Sequence, residues 1–372
     1  MGKIYSVLGL MSGTSMDGID ASIIKSDGET QYEAVFNKYF EYNEDLYHNL
    51  INLRDRIINS QDLKTYERDI KSLEKEITLF HADVVQKVLI EAKIDIDYIG
   101  FHGQTIFHNA SEKISKQLGD ANLLSQLTKK KIVYSFRQND LKNGGQGAPL
   151  TPIFHQLITR ENKINLPACI INIGGITNMT IITSLDCNDL KSQDIGPGNC
   201  LIDDWIRKKT KKKYDEEGEI AKRGVTSEII LNQAIDNFKS KKILSYDVKD
   251  FNLNFVRGLS LEDGASTLTD FTAKIIGITL LDVFSSFHEK KLKVLICGGG
   301  RKNLNLIESI KKNTLNKLVI EIIDEYGVDG DFVESQAFAF LAIRSYLKLN
   351  ISFPQTTACI SPCSGGILIK NF

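Results

Sequence analysis

Apolar residues open this chain in three runs, Ile4–Leu10, Ile19–Ser26 and Tyr32–Tyr42, each bounded by polar or glycine-bearing turns. That pattern predicts three strands in succession. Helical spacing follows. Asn43 stands as an N-cap before Glu44 and Asp45, and Asp62–Lys93 carries Leu63, Ile70, Leu73, Ile77 and Val84 at near-heptad intervals. The stretch fits an amphipathic domain helix, or a pair of them, better than a coiled coil. Two short strands, Tyr98–Phe101 and Thr105–His108, are predicted next, with a polar turn between them. A helix at Ala121–Lys129 and a strand at Lys131–Phe136 close the first half.

The opening pattern then returns. Pro167–Thr183 reads as strand, Gly/Thr turn, strand. Helices are predicted at Cys200–Lys211, Ser227–Phe238 and Thr267–Glu289. The apolar strand Leu292–Cys297 ends in Gly298-Gly299-Gly300, and a helix, a strand (Leu318–Ile323) and a long helix (Phe332–Lys348) complete the chain. No low-complexity linker divides it. Two α/β halves, each opening with a hairpin that presents a polar loop, suggest a nucleotide held in a cleft between them.

Composition narrows the class without naming it. The 372 residues suffice for two domains, and 42% hydrophobic with 25% charged residues is ordinary globular usage. Net charge is −1, from 46 basic and 47 acidic residues, so no overall basic field recruits nucleic acid or an anionic membrane. The local basic run Arg207–Lys213 reads as a solvated helix end. No apolar run approaches the ~20 residues of a membrane span, and the N-terminus is too weakly apolar for a signal peptide. Cys169 and Cys297 sit in strand-like apolar runs, where a thiol packs as a small hydrophobe. Cys359 and Cys363 are spaced C-x-x-x-C with no matching pair, which predicts no metal site, and all six cysteines fit a reducing cytoplasm.

Chemistry gathers in loops. Gly9–Asp20, GLMSGTSMDGID, places Gly13, Gly18, three hydroxyls (Ser12, Thr14, Ser15) and the carboxylate Asp17 between two strands. Glycines let backbone N–H groups approach a ligand, hydroxyls add donors for phosphate oxygens, and a carboxylate can hold magnesium. It is not a Walker A loop, because no Gly-Lys-Ser/Thr follows. Four further regions resemble it in kind: FHGQTIFH (101–108), SFRQNDLKNGGQGAPLTPIFH (135–155), NIGGITN (172–178) with DIGPGN (194–199), and GGGRKN (298–303) at a strand-to-helix turn. Each alone is weak. Together they favour a ligand site over five separate structural turns.

On GLMSGTSMDGID, HGQT, FRQNDLKNGGQGAPLTPIFH, NIGGITN, DIGPGNCLIDDW, GLSLEDGASTLTDFTA, CGGGRKN and GDFVESQAFAFLA, the chain resembles the anhydro-N-acetylmuramic acid kinases of the sugar kinase, Hsp70 and actin superfamily. The resemblance runs from residue 9 to about residue 342. It implies an α/β fold of two ribonuclease-H-like (actin-like ATPase) domains around an ATP and substrate cleft. The first domain is expected at 1–135 plus about 333–372, and the second at 136–332. It also implies an ATP- and magnesium-dependent reaction in cell-wall recycling. ATP, 1,6-anhydro-N-acetylmuramic acid and water give N-acetylmuramic acid 6-phosphate and ADP. Small-molecule substrates, a homodimer and a cytoplasmic location belong to the same expectation.

The resemblance assigns residues as well. Ser12, Gly13, Thr14, Ser15, Met16, Asp17 and Gly18 form the first phosphate loop, with Asp17 as magnesium partner. Gly174 and Gly175 look like the second phosphate loop, joined by Gly196 and Gly198, and Gly299, Gly300 and Asn303 like the adenosine loop. Asp194 stands near the metal or only orders its turn. Asp140, in the F-R-x-x-D element, is the expected base for water, or else a residue capping its loop. Because O6 is captured by a phosphoryl group, one base suffices where a glycosidase uses two carboxyls. His102, Gln104, Arg137, Gln146 and Glu334 are the sugar-binding candidates. Arg137 suits a carboxylate in fork geometry or a structural ion pair. Glu334 suits a substrate contact or a helix-dipole partner. His102 and His155 also fit buried, hydrogen-bonded roles.

Three other readings compete. A kinase for another amino sugar or anhydrosugar is the nearest. An ATP-driven switch needs a peptide-binding domain or polymer interface that the chain has no spare length to supply. A non-catalytic relative is hard to square with Asp17 and Asp140. Two departures from the family pattern stand out: Ile243–Phe251 keeps only Ser245 and an Asp-containing tail of a loop that relatives begin with PPKS, and Phe353–Gly366 matches the closing element only loosely.

Overall fold

The computed structural model describes residues 2–239, 246–287, 292–315 and 317–372. The chain divides into two compact units. Unit 1 takes in the chain up to Ile164, Leu185–Lys191 and Phe332–Phe372, and unit 2 takes in Asn165–Ser184 and Ser192–Asp331. Residues 136–164 therefore pack with unit 1, where the sequence reading grouped them with the second domain. The reason is local: Asp140 and the loop after it bond to the C-terminal segment around Thr357, which belongs to unit 1.

Unit 1 is built on β1 (Tyr5–Ser12), β2 (Gly18–Ser26), β3 (Tyr32–Glu41), β4 (Tyr98–Asn109), β5 (Ile114–Leu118) and β6 (Ile132–Tyr134). Unit 2 is built on β7 (Ala168–Ile173), β8 (Ile176–Ile182), β9 (Lys191–Pro197), β10 (Lys293–Cys297) and β11 (Val319–Ile322). The last strand, β12 (Ile367–Ile369), returns to unit 1. The first sheet has the order β12-β6-β4-β1-β2-β3, and the second β11-β10-β7-β8-β9. β1 pairs antiparallel with β2 and parallel with β4, and β7 pairs antiparallel with β8 and parallel with β10. The plan repeats: a hairpin opens each sheet, and strands parallel to its first member extend it. The fold is the two-unit α/β arrangement that the resemblance implied.

The first three strands, the Asn43 cap and the fully buried Cys169 and Cys297 stand where the pattern put them. Asp62–Lys93 resolves into a short helix, Asp62–Thr65, and a long one, Glu67–Ala92, whose Ile70, Leu73, Ile77, Val84 and Val88 enter the unit 1 core. Arg207, Lys208 and Lys209 end the helix Cys200–Lys209 exposed to solvent. The helix expected at Thr267–Glu289 begins earlier, at Leu261, and its expected end, like the start of the Ile243–Phe251 loop with Ser245, lies outside the described residues.

One expected turn is absent. FHGQTIFH runs within the single strand β4. Gly103, at φ +75°, bends the chain in a left-handed conformation, and β5 pairs antiparallel from Gln104 to Asn109 and keeps the backbone bonded. The sequence reading did not include β5, so the glycine read as punctuation.

The helix Val333–Tyr346 lies on β1, β2 and β4 and buries nearly all its side chains. Its backbone comes so close that a methyl group on Gly9 would overlap the Ser335 carbonyl oxygen and stand 2.7 Å from the Ala339 nitrogen. A methyl on Gly100 would overlap the Phe338 carbonyl in the same way. Ser335 also shares a 2.7 Å hydrogen bond with Ser22 of β2. This contact sets the height of the helix whose first turn carries Glu334.

Gly9→Ala is expected to destabilise the protein by at least about 2 kcal/mol, since backbone rather than a flexible side chain must move. Urea unfolding checks this, and an unchanged midpoint would contradict the packing described.

Candidate active site

The first loop spans Gly13–Asp17 between β1 and β2. It turns tightly: the Met16 amide donates to the Gly13 carbonyl at 3.2 Å, and Met16 itself is left-handed and buried. Thr14 and Ser15 are exposed, and the Ser15 hydroxyl donates to the Asp17 carboxylate at 2.6 Å. Ser12 faces the opposite way. It is buried against Tyr42, 2.9 Å from the phenol oxygen, with His81 Nε2 at 3.5 Å. So the loop presents Thr14, Ser15 and Asp17 outward, while Ser12 and Met16 anchor it from behind.

Gln104 braces the same loop from β4. Its Nε2 donates to the Gly13 carbonyl at 2.9 Å, and the side chain is wholly buried. Its Oε1 has no protein donor. A buried acceptor without a partner costs about 1–3 kcal/mol, so a ligand hydroxyl or amide that reached it would recover that energy.

A charged cluster lies beside it in unit 1. His102 Nδ1–H donates to the Gly103 carbonyl at 2.7 Å, and Nε2 accepts from both Arg137 Nε (3.1 Å) and Nη2 (2.9 Å). Burial and the neighbouring guanidinium hold the imidazole well below its usual range, so it stays neutral. Arg137 also donates to the Gly147 carbonyl at 2.8 Å. Burial lowers Arg137, with Glu334 and Asp140 acting against that shift. Glu334, in the first turn of its helix, is pushed up by burial and drawn partly back by Arg137. A cavity of about 210 Å³ is lined by His102 and Arg137 together with Ser115, Gln117 and Gln138. Gln104, Gln146 and Glu334 do not line it.

Asp140 sits in the short helix Gln138–Lys142 and is 1% exposed. Both carboxylate oxygens accept: Oδ1 from the Thr357 hydroxyl at 2.6 Å, Oδ2 from the Gly147 amide at 2.6 Å. The carboxylate thus gathers the GGQG loop, whose Gln146 amide donates to the Thr357 carbonyl at 2.7 Å. Thr357 escaped the sequence reading. Nothing local in FPQTTAC points to a partner so far upstream.

In unit 2 two glycine loops are laced together. The Gly198 and Asn199 amides donate to the Gly175 and Gly174 carbonyls at 2.9 and 2.8 Å. Thr177 and Thr272 hydroxyls close on the Pro197 and Gly198 carbonyls. Gly298, at φ +80°, leaves no room for a side chain beside Asn172 and Ile173. By contrast, a methyl group on Gly174 or Gly299 would meet nothing nearer than 3.6 or 3.9 Å, and one on Gly13 in unit 1 nothing nearer than 3.7 Å. At those three positions a methyl group would make only ordinary van der Waals contact. Asn303 is 7% exposed and caps the helix Leu304–Asn313 by accepting from the Leu306 amide at 2.9 Å. Gly196, at φ +155°, packs against Phe238. Asp194 is half-buried and accepts from the Tyr246 amide at 3.0 Å. Asp17 with its hydroxyl neighbour offers the oxygen donors a magnesium ion takes.

The profile of the anhydro-N-acetylmuramic acid kinase family matches residues 5–371. An anhydro-N-acetylmuramic acid kinase of Pelagibacter ubique strain HTCC1062 is 59% identical over 375 residues, covering all of both chains. One from Zymomonas mobilis is 36% identical and covers 96% of this chain and 98% of that one. Among solved structures, a ROK family glucokinase from Streptomyces griseus in complex with glucose and AMPPNP aligns at 12% identity. Its TM-score is 0.39, with 91% of this chain and 98% of that one covered.

Behind the first loop, His81 is fully buried and held down to about 4 from 6.5 by loss of hydration. In that window the unfolded chain binds the proton and the native protein does not, so stability falls as pH drops from 6.5 towards 4. His81→Gln is expected to flatten that limb by up to about 1.4 kcal/mol per pH unit. Urea unfolding at stepped pH reads it. His102 and His155, also held neutral by burial, contribute to the slope that remains.

Proposed function

The chain belongs to the anhydro-N-acetylmuramic acid kinase family, and from that premise we propose how its residues divide the work. It is an ATP-dependent kinase of peptidoglycan recycling. Water adds at C1 of 1,6-anhydro-N-acetylmuramic acid, the anhydro bridge opens, and O6 takes the γ-phosphoryl group of ATP. The products are N-acetylmuramic acid 6-phosphate and ADP. The family match over nearly the whole chain carries this reading.

Thr14, Ser15 and the Gly13 backbone receive the phosphates, and Asp17 holds magnesium. Magnesium, when bound, neutralises charge on the transferring phosphoryl group. Gly175 supplies a backbone donor in a loop shaped by Gly174 and Gly198, and Gly299 and Gly300 border the adenosine. Gln104 Oε1 accepts from the sugar. Arg137, with neutral His102 behind it, offers its remaining donors to the lactyl carboxylate, and Gln146 and Glu334 take hydroxyl or acetamido groups.

Asp140 is the proposed base for the attacking water. Its burial and its two hydrogen bonds, from the Thr357 hydroxyl and the Gly147 amide, favour a second reading, in which it caps and orders the GGQG loop. A homodimer and a cytoplasmic location complete the proposal. Among the described residues no helix is long and apolar enough to cross a membrane.

Turnover in heavy-oxygen water is expected to give a product that gains one phosphate and one labelled hydroxyl at C1. Phosphate without label would mean a conventional sugar kinase. Asp140→Asn is expected to lose about 10²–10⁴-fold in kcat while keeping its melting temperature and ATP binding. Substantial turnover by Asp140→Asn would leave Asp140 as the residue that orders the GGQG loop. Asp17→Asn is expected to raise the magnesium concentration for half-maximal rate, with the fold intact by circular dichroism.

A further inference from the structure

Two cysteines near the C-terminus take no part in the chemistry above, yet they stand beside Asp140. The helical turn Pro354–Thr357 ends at Ala358 in a left-handed conformation, and Cys359 follows at once. This segment is held firmly. The Ile360 amide donates to the Asn143 carbonyl at 2.9 Å, and the Asn143 side chain donates to the Ser361 carbonyl at 2.6 Å. Cys363 is fixed by reciprocal backbone bonds to Ser352, with its amide donating at 3.1 Å and its carbonyl accepting at 3.2 Å.

A carboxylate oxygen of Asp140, Sγ of Cys359 and Sγ of Cys363 all lie within 4.8 Å of one another. In a tetrahedral zinc site, with Zn–S about 2.3 Å and Zn–O about 2.0–2.2 Å, such ligand atoms are roughly 3.5–3.8 Å apart. Closing on a cation needs shifts that side-chain rotation can supply. Two of the three ligands also have a supporting partner: the Thr357 hydroxyl donates to Asp140 at 2.6 Å, and the Ser352 hydroxyl lies 3.2 Å from the Cys363 sulfur. Asp140 and Cys359 are buried, and the partly exposed Cys363 gives access.

We propose that Asp140, Cys359 and Cys363 form a binding site for a thiophilic divalent cation of the zinc class. Two thiolates with one carboxylate favour such a cation over magnesium. Binding forms two metal–sulfur bonds and one metal–oxygen bond, with water in the open position. The two thiols release their protons to solvent. The cation ties the helix Gln138–Lys142 to the C-terminal segment. The cysteine spacing argued against a metal because the third ligand comes from a distant part of the chain. One consequence rests on the reading of Asp140 as base: a cation on its carboxylate removes the proton acceptor and stops turnover.

The test titrates the reduced full chain with cobalt(II) as a spectroscopic probe, with zinc as competitor. One equivalent is expected to produce a thiolate-to-cobalt charge-transfer band that zinc abolishes. Cys363→Ser and Cys359→Ser are each expected to lose the band. Cys363→Ser, at the more exposed position, keeps the test open if the buried variant misfolds. No band with both thiols still titratable overturns the site. No band with two thiols lost to oxidant shows a disulfide instead, and overturns it too. Zinc should inhibit the parent protein and spare Cys363→Ser. A normal band with zinc-insensitive turnover upholds the site and removes Asp140 as base. Failure of the kinase reading would show separately, as metal-free protein that does not phosphorylate the sugar.

Discussion

The closeness of the helix Val333–Tyr346 to β1 and β4 governs unit 1. Two backbones can come this near only where side chains are missing, and Gly9 and Gly100 supply the gap. The helix then covers the centre of the sheet, and its buried residues join those of the strands it covers. The first turn of the helix consequently carries Glu334 into the electrostatic reach of Arg137. Loops at the ends of β1 and β4 inherit their positions from this packing.

Around Arg137 the structure resolves a conflict of charge and burial. Each charged group there is desolvated, which alone disfavours the ionised form. Arg137 is offset by Glu334 and Asp140, and His102 stays neutral so that it can accept from the guanidinium. The same device makes His102 a positioning residue for Arg137. Asp140 has a comparable double engagement, with Thr357 on one oxygen and Gly147 on the other. Groups this fully bonded are rigid, and rigidity suits residues that must hold a loop or a reacting water in place.

Unit 2 solves a different problem with the same material. Its Gly175 and Gly174 carbonyls accept from the Gly198 and Asn199 amides, so the two loops are preset by the backbone. Gly298 and Gly300 lie against Ile173, where any side chain would clash, while a methyl group on Gly299 would make only ordinary contact with Asn199.

Local pattern carried most of the architecture. The first three strands, the repeated hairpin at 168–182 and the apolar strand before Gly298 are visible in the sequence because burial and alternation act over a few residues. The loop at Gly13–Asp17 is legible for the same reason: its glycines and hydroxyls are neighbours in the chain. FHGQTIFH was misread because Gly103 resembles a turn, and only pairing with β5 shows that the strand continues. The partners of Asp140, Arg137 and Gln104 were invisible, since Thr357, Glu334 and Gly13 are remote in sequence. The sequence by itself determined most of the elements, the glycine-bearing loops and the family. Tertiary structure alone decided which oxygens are saturated, which charges are offset and which thiols meet Asp140, because those depend on distances that only the folded backbone sets.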